Sequence, residues 1–126
     1  MILLDTSAWI EYFSGSPKGS KIDSMILSNK VIGTPVIVLI ELACKSFKEN
    51  VDFQLQEEYI KQNSIILPLE EEMATLVARN YVDLRNKNKK ISLADAIILT
   101  TAQKNNATLV TCDGDFRSMH NVELVN

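Results

Sequence analysis

Short apolar runs alternate along the chain with segments in which apolar and polar residues are mixed. The short runs have the length of β-strands and end at polar or turn-forming residues. They cover residues 1–4, 30–33, 64–67, 108–112 and 122–125. The mixed segments repeat their apolar residues at helical spacing. They cover residues 8–13, 21–29, 36–47, 52–63, 70–87 and 92–103. This alternation predicts an α/β fold around a mainly parallel sheet.

Polar residues mark where several of the predicted helices begin. Thr6 or Ser7 is expected to cap the first helix, because a hydroxyl there can accept from the free backbone N–H groups. Thr34 followed by Pro35 is typical of the start of the third helix. Residues 14–20, rich in glycine and serine, are predicted to form a loop before the second helix.

Apolar stripes predict which face of a helix meets the core. On the third helix the stripe consists of Ile37, Ile40, Cys44 and Phe47. In helix 70–87 the stripe consists of Met73, Leu76, Val77, Tyr81 and Leu84. In helix 52–63 the expected anchors are Leu55, Tyr59 and Ile60, and in the first helix Trp9, Tyr12 and Phe13 are assigned to the core. Cys44 and Cys112 are too few and too distant for a disulfide framework or zinc site, so both are predicted to be small buried side chains.

Length and charge limit the classes of protein that fit. With 126 residues the chain is predicted to be one domain, residues 1–126. The net charge of −3 argues against a protein that holds nucleic acid by a broad basic surface, although it permits contacts to phosphate bridged by metal ions. Because no signal peptide or membrane-spanning stretch is present, a cytoplasmic location is expected.

Four acidic residues fall where a parallel sheet gathers its ligands. Asp5 and Asp113 each follow a predicted strand, whereas Glu41 and Asp95 lie near the starts of apolar helices. In a parallel sheet with right-handed crossovers, the carboxyl ends of strands and the amino ends of helices share one edge. We therefore expect the four carboxylates to converge at that edge.

Each acid also has a simpler structural interpretation. Asp5 and Asp95 can cap helices, Asp95 as part of a capping box with Ser92. Glu41 can form a surface pair with Lys45 one turn later. Asp113 can shape an Asx turn after its strand. The three glutamates at 70–72 are interpreted only as charge that favours a helix start.

Converging carboxylates require cations, because unpaired buried charges repel one another. The single histidine, His120, stands apart from the cysteines, so the sequence offers no zinc set. An all-oxygen site matches Mg²⁺ or Mn²⁺. Such ions activate water and bind the oxygens of an in-line phosphoryl displacement.

The loop before residue 92 is the most basic part of this acidic chain. It carries Lys87, Lys89 and Lys90, with Arg85 just before them. These residues are candidates for RNA binding. A solvated turn is the alternative interpretation.

Four motifs in this order resemble the PIN-domain nucleases, in particular the VapC toxins of toxin–antitoxin pairs. They are Leu3-Leu4-Asp5-Thr6-Ser7, Glu41 in an apolar helix, Leu93-Ala94-Asp95-Ala96-Ile97-Ile98 and Thr111-Cys112-Asp113-Gly114-Asp115-Phe116. The resemblance extends from the first strand to about Phe116.

The resemblance implies a three-layer α/β/α domain and a catalytic, metal-binding set formed by Asp5, Glu41, Asp95 and Asp113. It also implies that Thr6 holds a metal-bound water, with Asp115 a secondary candidate. The activity implied is Mg²⁺- or Mn²⁺-dependent cleavage of RNA, typically transfer or ribosomal RNA. The partners implied are a cognate antitoxin and a second copy of the chain, without any membrane.

Other classes remain to be compared. Within the family, an RNA-processing nuclease that is not a toxin is the nearest alternative. A phosphorelay receiver needs paired acids after its first strand, and a haloacid-dehalogenase phosphatase needs a second aspartate where Ser7 stands. A binding module that kept the fold and lost the chemistry is the last alternative, which intact acids at all four positions disfavour.

Overall fold

The computed structural model describes residues 1–29 and 31–126, so the predicted strand residue Lys30 lies outside the described residues. Its strands are β1 (Ile2–Leu4), β2 (Ile32–Pro35), β3 (Ile65–Leu67), β4 (Thr108–Thr111) and β5 (Val122–Leu124). They form one parallel sheet in the order β3-β2-β1-β4-β5, with Ile2 of β1 between Ile32 and Thr108. The central β1 is buried at every residue.

Six α-helices connect the strands. They are α1 (Thr6–Ser14), α2 (Pro17–Ser28), α3 (Val36–Lys48), α4 (Gln54–Asn63), α5 (Ala74–Lys87) and α6 (Leu93–Lys104). The chain crosses the sheet in one direction from β1 to β3 and in the other from β3 to β5. Right-handed crossovers therefore place α1–α4 on one face and α5–α6 on the other. The predicted three-layer α/β/α fold with a parallel sheet is confirmed.

The start of α1 differs from the prediction. Asp5 caps this helix in place of Thr6 or Ser7, because its extended backbone continues β1 and its side chain accepts from Ala8 N at 2.8 Å. The predicted loop 14–20 is also mostly wrong, since α2 already begins at Pro17 with Ser16 as its cap. Proline at the first helical position was the signal for a helix start here. The turn between the helices needs only Gly15, which has a φ of 70°.

The predicted cap of α3 is wrong as well. Thr34 and Pro35 complete β2, and α3 begins at Val36 without a side-chain cap. The buried Thr34 hydroxyl instead accepts from Trp9 Nε1 at 3.2 Å and shares a hydrogen bond of 2.8 Å with Ser64. Because the Thr34 hydroxyl is bonded to α1 and to the residue before β3, it does not cap α3.

The core face of α3 is not the predicted stripe. Val38, Leu39 and Leu42 are its buried apolar residues. Ile40 is 52% exposed and Phe47 is 71% exposed. Cys44 is exposed too, so its predicted burial is wrong, whereas Cys112 is half-buried. Apolar residues cover most of the circumference of α3, so periodicity alone could not decide which side meets the sheet.

Two further predicted anchors lie outside the core. Leu55 of α4 is 78% exposed, although Ile60 on the same helix is fully buried. Helix 70–87 begins with a 3₁₀ turn at Glu71–Met73, and Leu76 points away from the buried side formed by Met73 and Val77. On a regular helix, successive residues are about 100° apart, so Leu76 lies at the edge of the side on which Val77 is buried.

The aromatic residues of α1 pack as predicted for core side chains. Trp9 is fully buried, and Tyr12 and Phe13 pack against it with Tyr59 of α4. The Tyr12 and Tyr59 hydroxyls lie 2.5 Å apart, and burial together with this bond raises the pKa of Tyr12 to about 12. Over residues 1–29 and 31–126, no helix is long and apolar enough to cross a membrane.

Candidate metal centre

Asp5 lies at the carboxyl end of the central strand, where β1 gives way to α1. Its side chain is only 3% exposed. The carboxylate accepts from Ala8 N at 2.8 Å and Ser7 Oγ at 2.7 Å, and the Thr111 hydroxyl donates to its other oxygen. All of these donors are neutral. The carboxylate is therefore held in one orientation without any neutralising charge.

Two hydroxyls join Asp5 to the end of β4. Ser7 Oγ accepts from the backbone N–H of Cys112 at 2.9 Å, and Thr111 Oγ1 accepts from the N–H of Asp113 at 3.0 Å. Since both hydroxyls also donate to Asp5, they fix the distance between the two strand ends. Sequence reasoning did not assign Ser7 and Thr111 to the site. The signal that could have found them is the placement of each hydroxyl two residues from an acid, after or before it.

Glu41 joins this edge through α1. Thr6 Oγ1 donates to Glu41 Oε1 at 2.6 Å, so the first turn of α1 holds the acid of α3. The alternative surface pair with Lys45 does not occur, because Lys45 forms its ion pair with Glu49. Thr6 therefore contacts Glu41 directly, and its role in holding a metal-bound water stays a prediction.

Asp95 forms the capping box at the start of α6. Its Oδ2 accepts from Ser92 N at 2.9 Å, and its own N–H donates to Ser92 Oγ at 3.1 Å. Asp113 shapes the turn after β4, accepting from Asp115 N at 2.9 Å. Both structural interpretations are thus present. A cap uses one carboxylate oxygen, so it does not prevent the same group from facing a ligand.

Electrostatics shows which acids are close to one another. Burial raises the pKa of Asp5 above its usual value, and the charge of Asp113 raises it further despite the hydrogen bonds. Burial also raises the pKa of Asp95, with added repulsion from Asp113 and Asp115. The negative charge of Asp113 therefore acts on both Asp5 and Asp95.

The carboxylates do not form a finished metal site as they are placed. Within residues 1–29 and 31–126, no three acidic, histidine or cysteine side chains are grouped closely enough to hold an ion directly. In the same part of the chain, every ion pair lies elsewhere, at Lys45, Lys61 and Lys104. The second oxygens of Glu41 and Asp113 accept no hydrogen bond from the described residues. All-oxygen donors, burial and missing counter-charge fit a hard divalent cation.

The predicted basic residues occupy the end of α5 and the loop after it. Arg85 Nη1 donates to the carbonyl of Ile91 at 3.2 Å, and its guanidinium lies over the Tyr81 ring at 5.6 Å. Lys87, Lys89 and Lys90 are exposed. Arg85 thus fixes the loop, which leaves the three lysines as the residues open to a ligand.

The fold and the acid edge define the class of protein: a three-layer α/β/α domain with buried carboxylates where its parallel strands end. A comparison with protein families refines this class. The sequence profile of the PIN domain matches residues 2–121. The chain belongs to the PIN domain family, so the resemblance found in its motifs is confirmed. PIN domains are in general nucleases.

Solved structures with a similar fold include a chain of a toxin–antitoxin complex. A toxin–antitoxin complex from Klebsiella pneumoniae contains a chain 24% identical, with a TM-score of 0.76 over 100% of this chain and 98% of that one. VapBC2 from Rickettsia felis, bound to a DNA fragment from its promoter, gives 23% identity and a TM-score of 0.79 with both chains fully covered. FitAcB from Neisseria gonorrhoeae contains a chain 25% identical, with a TM-score of 0.63 over 100% of this chain and 97% of that one. No curated protein sequence matches the chain.

Family and topology exclude two of the alternative classes. Receiver domains use the doubly wound strand order 2-1-3-4-5. The order here is 3-2-1-4-5. Membership in the PIN family likewise excludes the haloacid-dehalogenase class. The remaining alternatives all lie within the family.

Proposed function

We propose that the protein is a metal-dependent endoribonuclease and the toxin of a toxin–antitoxin pair. The observation that carries the proposal is the edge at which Asp5 and Asp95 are drawn out of water next to Asp113, where no lysine or arginine among residues 1–29 and 31–126 forms an ion pair with them. Acids that serve only the fold are placed next to cations or left in water. Acids that are buried without such a partner are suited to binding a cation from solution.

Mg²⁺ or Mn²⁺ is the proposed cofactor, held by Asp5, Glu41, Asp95 and Asp113. When bound, such an ion activates water and neutralises charge on the phosphate oxygens. The protein groups have separate tasks. Ser7 and Thr111 keep both oxygens of Asp5 in place, while Thr6 positions Glu41. Asp115 carries negative charge near Asp95 and accepts from Asn88 Nδ2 at 3.1 Å, which supports a secondary role.

A protein partner is proposed for the exposed apolar side chains of α3 and α4. Ile40, Phe47 and Leu55 are large apolar residues between 52% and 78% exposed. Exposed apolar surface of this kind marks interaction sites. Because a similar chain is found in a toxin–antitoxin complex, a cognate antitoxin is the partner proposed. A homodimer and a cytoplasmic location are proposed on the family resemblance alone.

The decisive experiment for the function is cleavage of purified RNA by the full-length protein in Mn²⁺ and in chelator. Cleavage is expected only with the metal. Since water is the proposed nucleophile, the new ends should carry no 2′,3′-cyclic phosphate. Cyclic ends formed equally well in chelator would point to attack by the ribose hydroxyl and would refute the metal-dependent mechanism.

Two narrower alternatives are separated by further outcomes. An RNA-processing nuclease would cleave RNA in vitro yet leave cell growth unchanged on induction, whereas a toxin should arrest growth. A non-catalytic binding module would leave all RNA intact. Mapping RNA ends after induced expression would also identify the natural target as transfer RNA, ribosomal RNA or another class.

A further inference from the structure

A polar cleft of about 640 Å³ opens beside the acid edge, between α5, α6 and the segment that follows β4. Its walls include Asn80 and Lys87 of α5, Gln103 of α6, and Arg117 and His120 of the segment after β4, which follow a 3₁₀ turn at Gly114–Phe116. We call this feature the α5–α6 cleft. Its volume is in the range of about 300–1,000 Å³ that is typical of pockets for small organic groups.

The α5–α6 cleft adjoins the proposed catalytic acids. Asn88 and Asp115 both line it, and Asn88 Nδ2 donates to Asp115 Oδ1 at 3.1 Å. Asp115 lies two residues after Asp113, whose side chain accepts from its N–H at 2.9 Å. A chain that crosses the acid edge can therefore enter the cleft without leaving the surface.

The lining offers the groups that bind a nucleotide. Lys87 and Arg117 are exposed and make no ion pair within the described part of the chain. Asn80 Nδ2 donates to Thr100 Oγ1 at 2.8 Å and to Gln103 Oε1 at 2.9 Å, which orders both amides. Each amide keeps another polar atom, an acceptor on Asn80 and a donor on Gln103.

The apolar residues that line the cleft suit the base of a nucleotide. Leu84, Leu99 and Met119 give the cleft an apolar part against which a base can pack. Asp83 lines it too, so the positive charges of Lys87 and Arg117 are balanced across the walls by Asp83 and Asp115. A balanced pocket does not attract polyanions indiscriminately, and its amides favour recognition by hydrogen bonds.

We propose that the α5–α6 cleft binds a nucleotide of single-stranded RNA flanking the cleaved phosphate, with Lys87 and Arg117 on phosphates and Asn80 and Gln103 on the base edge. The proposal rests on the proposed ribonuclease function, which supplies the cleavage. Single-stranded RNA is favoured over a duplex because only an unstacked base can turn into a pocket of this size.

The test compares two double variants that lose the same charge. Lys87→Gln/Arg117→Gln changes the cleft, whereas Lys48→Gln/Arg79→Gln removes one lysine and one arginine that are also exposed but do not line it. We call the second protein the control variant. A fluorescent single-stranded ten-nucleotide RNA is titrated with each protein in chelator at several salt concentrations. The cleft variant should lower the slope of log affinity against log salt by about 1.4, at ~0.7 for each lost contact. The control variant should keep the wild-type slope.

Cleavage in Mn²⁺ provides a second readout. The cleft variant should raise KM for the same RNA and leave kcat nearly unchanged, while the control variant matches wild type. Gln103→Ala should in addition alter which base is preferred beside the cut. Equal slopes and equal KM values for the two double variants would overturn the cleft proposal while leaving the ribonuclease intact.

Cross-linking locates the RNA directly. A ten-nucleotide RNA containing 4-thiouridine should cross-link to residues 80–88 or 114–120 after irradiation, and mass spectrometry of the digested protein identifies the site. Cross-links confined to other segments would refute the proposal. A wild-type protein that cleaves no RNA would instead defeat the proposed function, and the cleft proposal with it.

Discussion

Two acidic clusters on this molecule differ in how their negative charge is neutralised. Glu70 and Glu72 lie at the surface, and Lys104 reaches them at 2.9 Å and 3.1 Å. A hydrogen bond from its own backbone, followed by that from Lys104, lowers the pKa of Glu72 to about 2. At the acid edge, burial raises the pKa values of Asp5 and Asp95, and no lysine or arginine pairs with them within the described residues.

The difference separates acids that serve the fold from acids that serve a ligand. The surface cluster is neutralised within the chain and gains little from an added cation. The buried cluster keeps its charge in an environment that disfavours it, which lowers stability until a cation arrives. Exchanging one charge in each cluster therefore gives matched experiments.

The largest expected effect is on catalysis. Changing Asp5, Asp95 or Asp113 to Asn, or Glu41 to Gln, should lower kcat/KM for Mn²⁺-dependent RNA cleavage by about 100-fold or more, since even groups that only orient metal ligands contribute 10- to 100-fold. Glu72→Gln and Glu71→Gln in the surface cluster should cleave at the wild-type rate. Steady-state kinetics on one RNA decide the matter. Full activity in Glu41→Gln would remove that residue from the site.

Removing a hydroxyl at the buried edge should have the next largest effect. Thr111→Val deletes the donor to Asp5 and the acceptor for Asp113 N. Mn²⁺ affinity should fall by about 10- to 100-fold because both carboxylates lose their orientation. Calorimetric titration with Mn²⁺ measures the change. Thr101→Val serves as control, since its buried hydroxyl bonds only within α6, to the carbonyl of Ile97 at 2.7 Å. Equal losses in both variants would mean a general disturbance of the core.

Thermal stability should distinguish a strained acid from a helix cap. Asn at position 95 keeps an oxygen for Ser92 N, so Asp95→Asn should melt higher than wild type in chelator. Excess Mn²⁺ should stabilise wild type by about 2.7 kcal/mol at a hundredfold excess over Kd, and the variant by less. Melting curves under both conditions measure this. A variant that melts lower in chelator and responds fully to Mn²⁺ would make Asp95 a cap only.

The smallest expected effect is an opposite pH dependence of the two clusters. Burial raises the pKa of Asp95 in the folded protein above its usual value, so the free energy of unfolding falls as pH rises through the folded-state pKa and Asp95 becomes charged. The advantage of Asp95→Asn in chelator should thus grow from pH 3 towards pH 7. Glu72 has a lowered pKa, so its stabilisation is present above the unfolded value of 4.5 and is lost as pH falls towards about 2.

Salt provides the control for this pH experiment. The deficit of Glu72→Gln at neutral pH should shrink in high salt, because both partners are exposed and screening is strong. The effect at Asp95, which is only half-exposed, should persist better. Parallel pH profiles for the two variants would contradict the distinction between the clusters.

Sequence patterns predicted the strands of the sheet and the positions of the acids along the chain more securely than the caps and the buried faces of the helices. Strands such as Ile2–Leu4 are short and wholly apolar, which leaves one interpretation. On α3, apolar residues on two sides made the outward stripe of Ile40 and Phe47 as regular as the inward one. The cap at Asp5 was only an alternative to Thr6 or Ser7, because three consecutive residues could each cap and only the backbone decides among them.

At the candidate site, too, the sequence predicts the general location but not the individual contacts. The edge on which Asp5 and Asp113 meet follows from parallel topology, which the alternation of elements predicts. The hydroxyl bridges of Ser7 and Thr111 join residues more than a hundred positions apart, at 105 and 106. Contacts at that separation depend on the register of β1 beside β4, which no local pattern encodes.

The place of β1 at the centre of the sheet also has a consequence for synthesis on the ribosome. Its two neighbours are β2 and β4, and the bond that fixes Asp5 from the β4 side spans 106 residues. A nascent chain can form β1, β2 and β3 long before β4 is made, but non-local pairing must wait for the missing strand. Asp5 therefore meets Asp113 only after β4 and the residue pair that follows it have been synthesised. The ribosome that makes this protein does not face a completed acid edge until Asp113 has emerged from it.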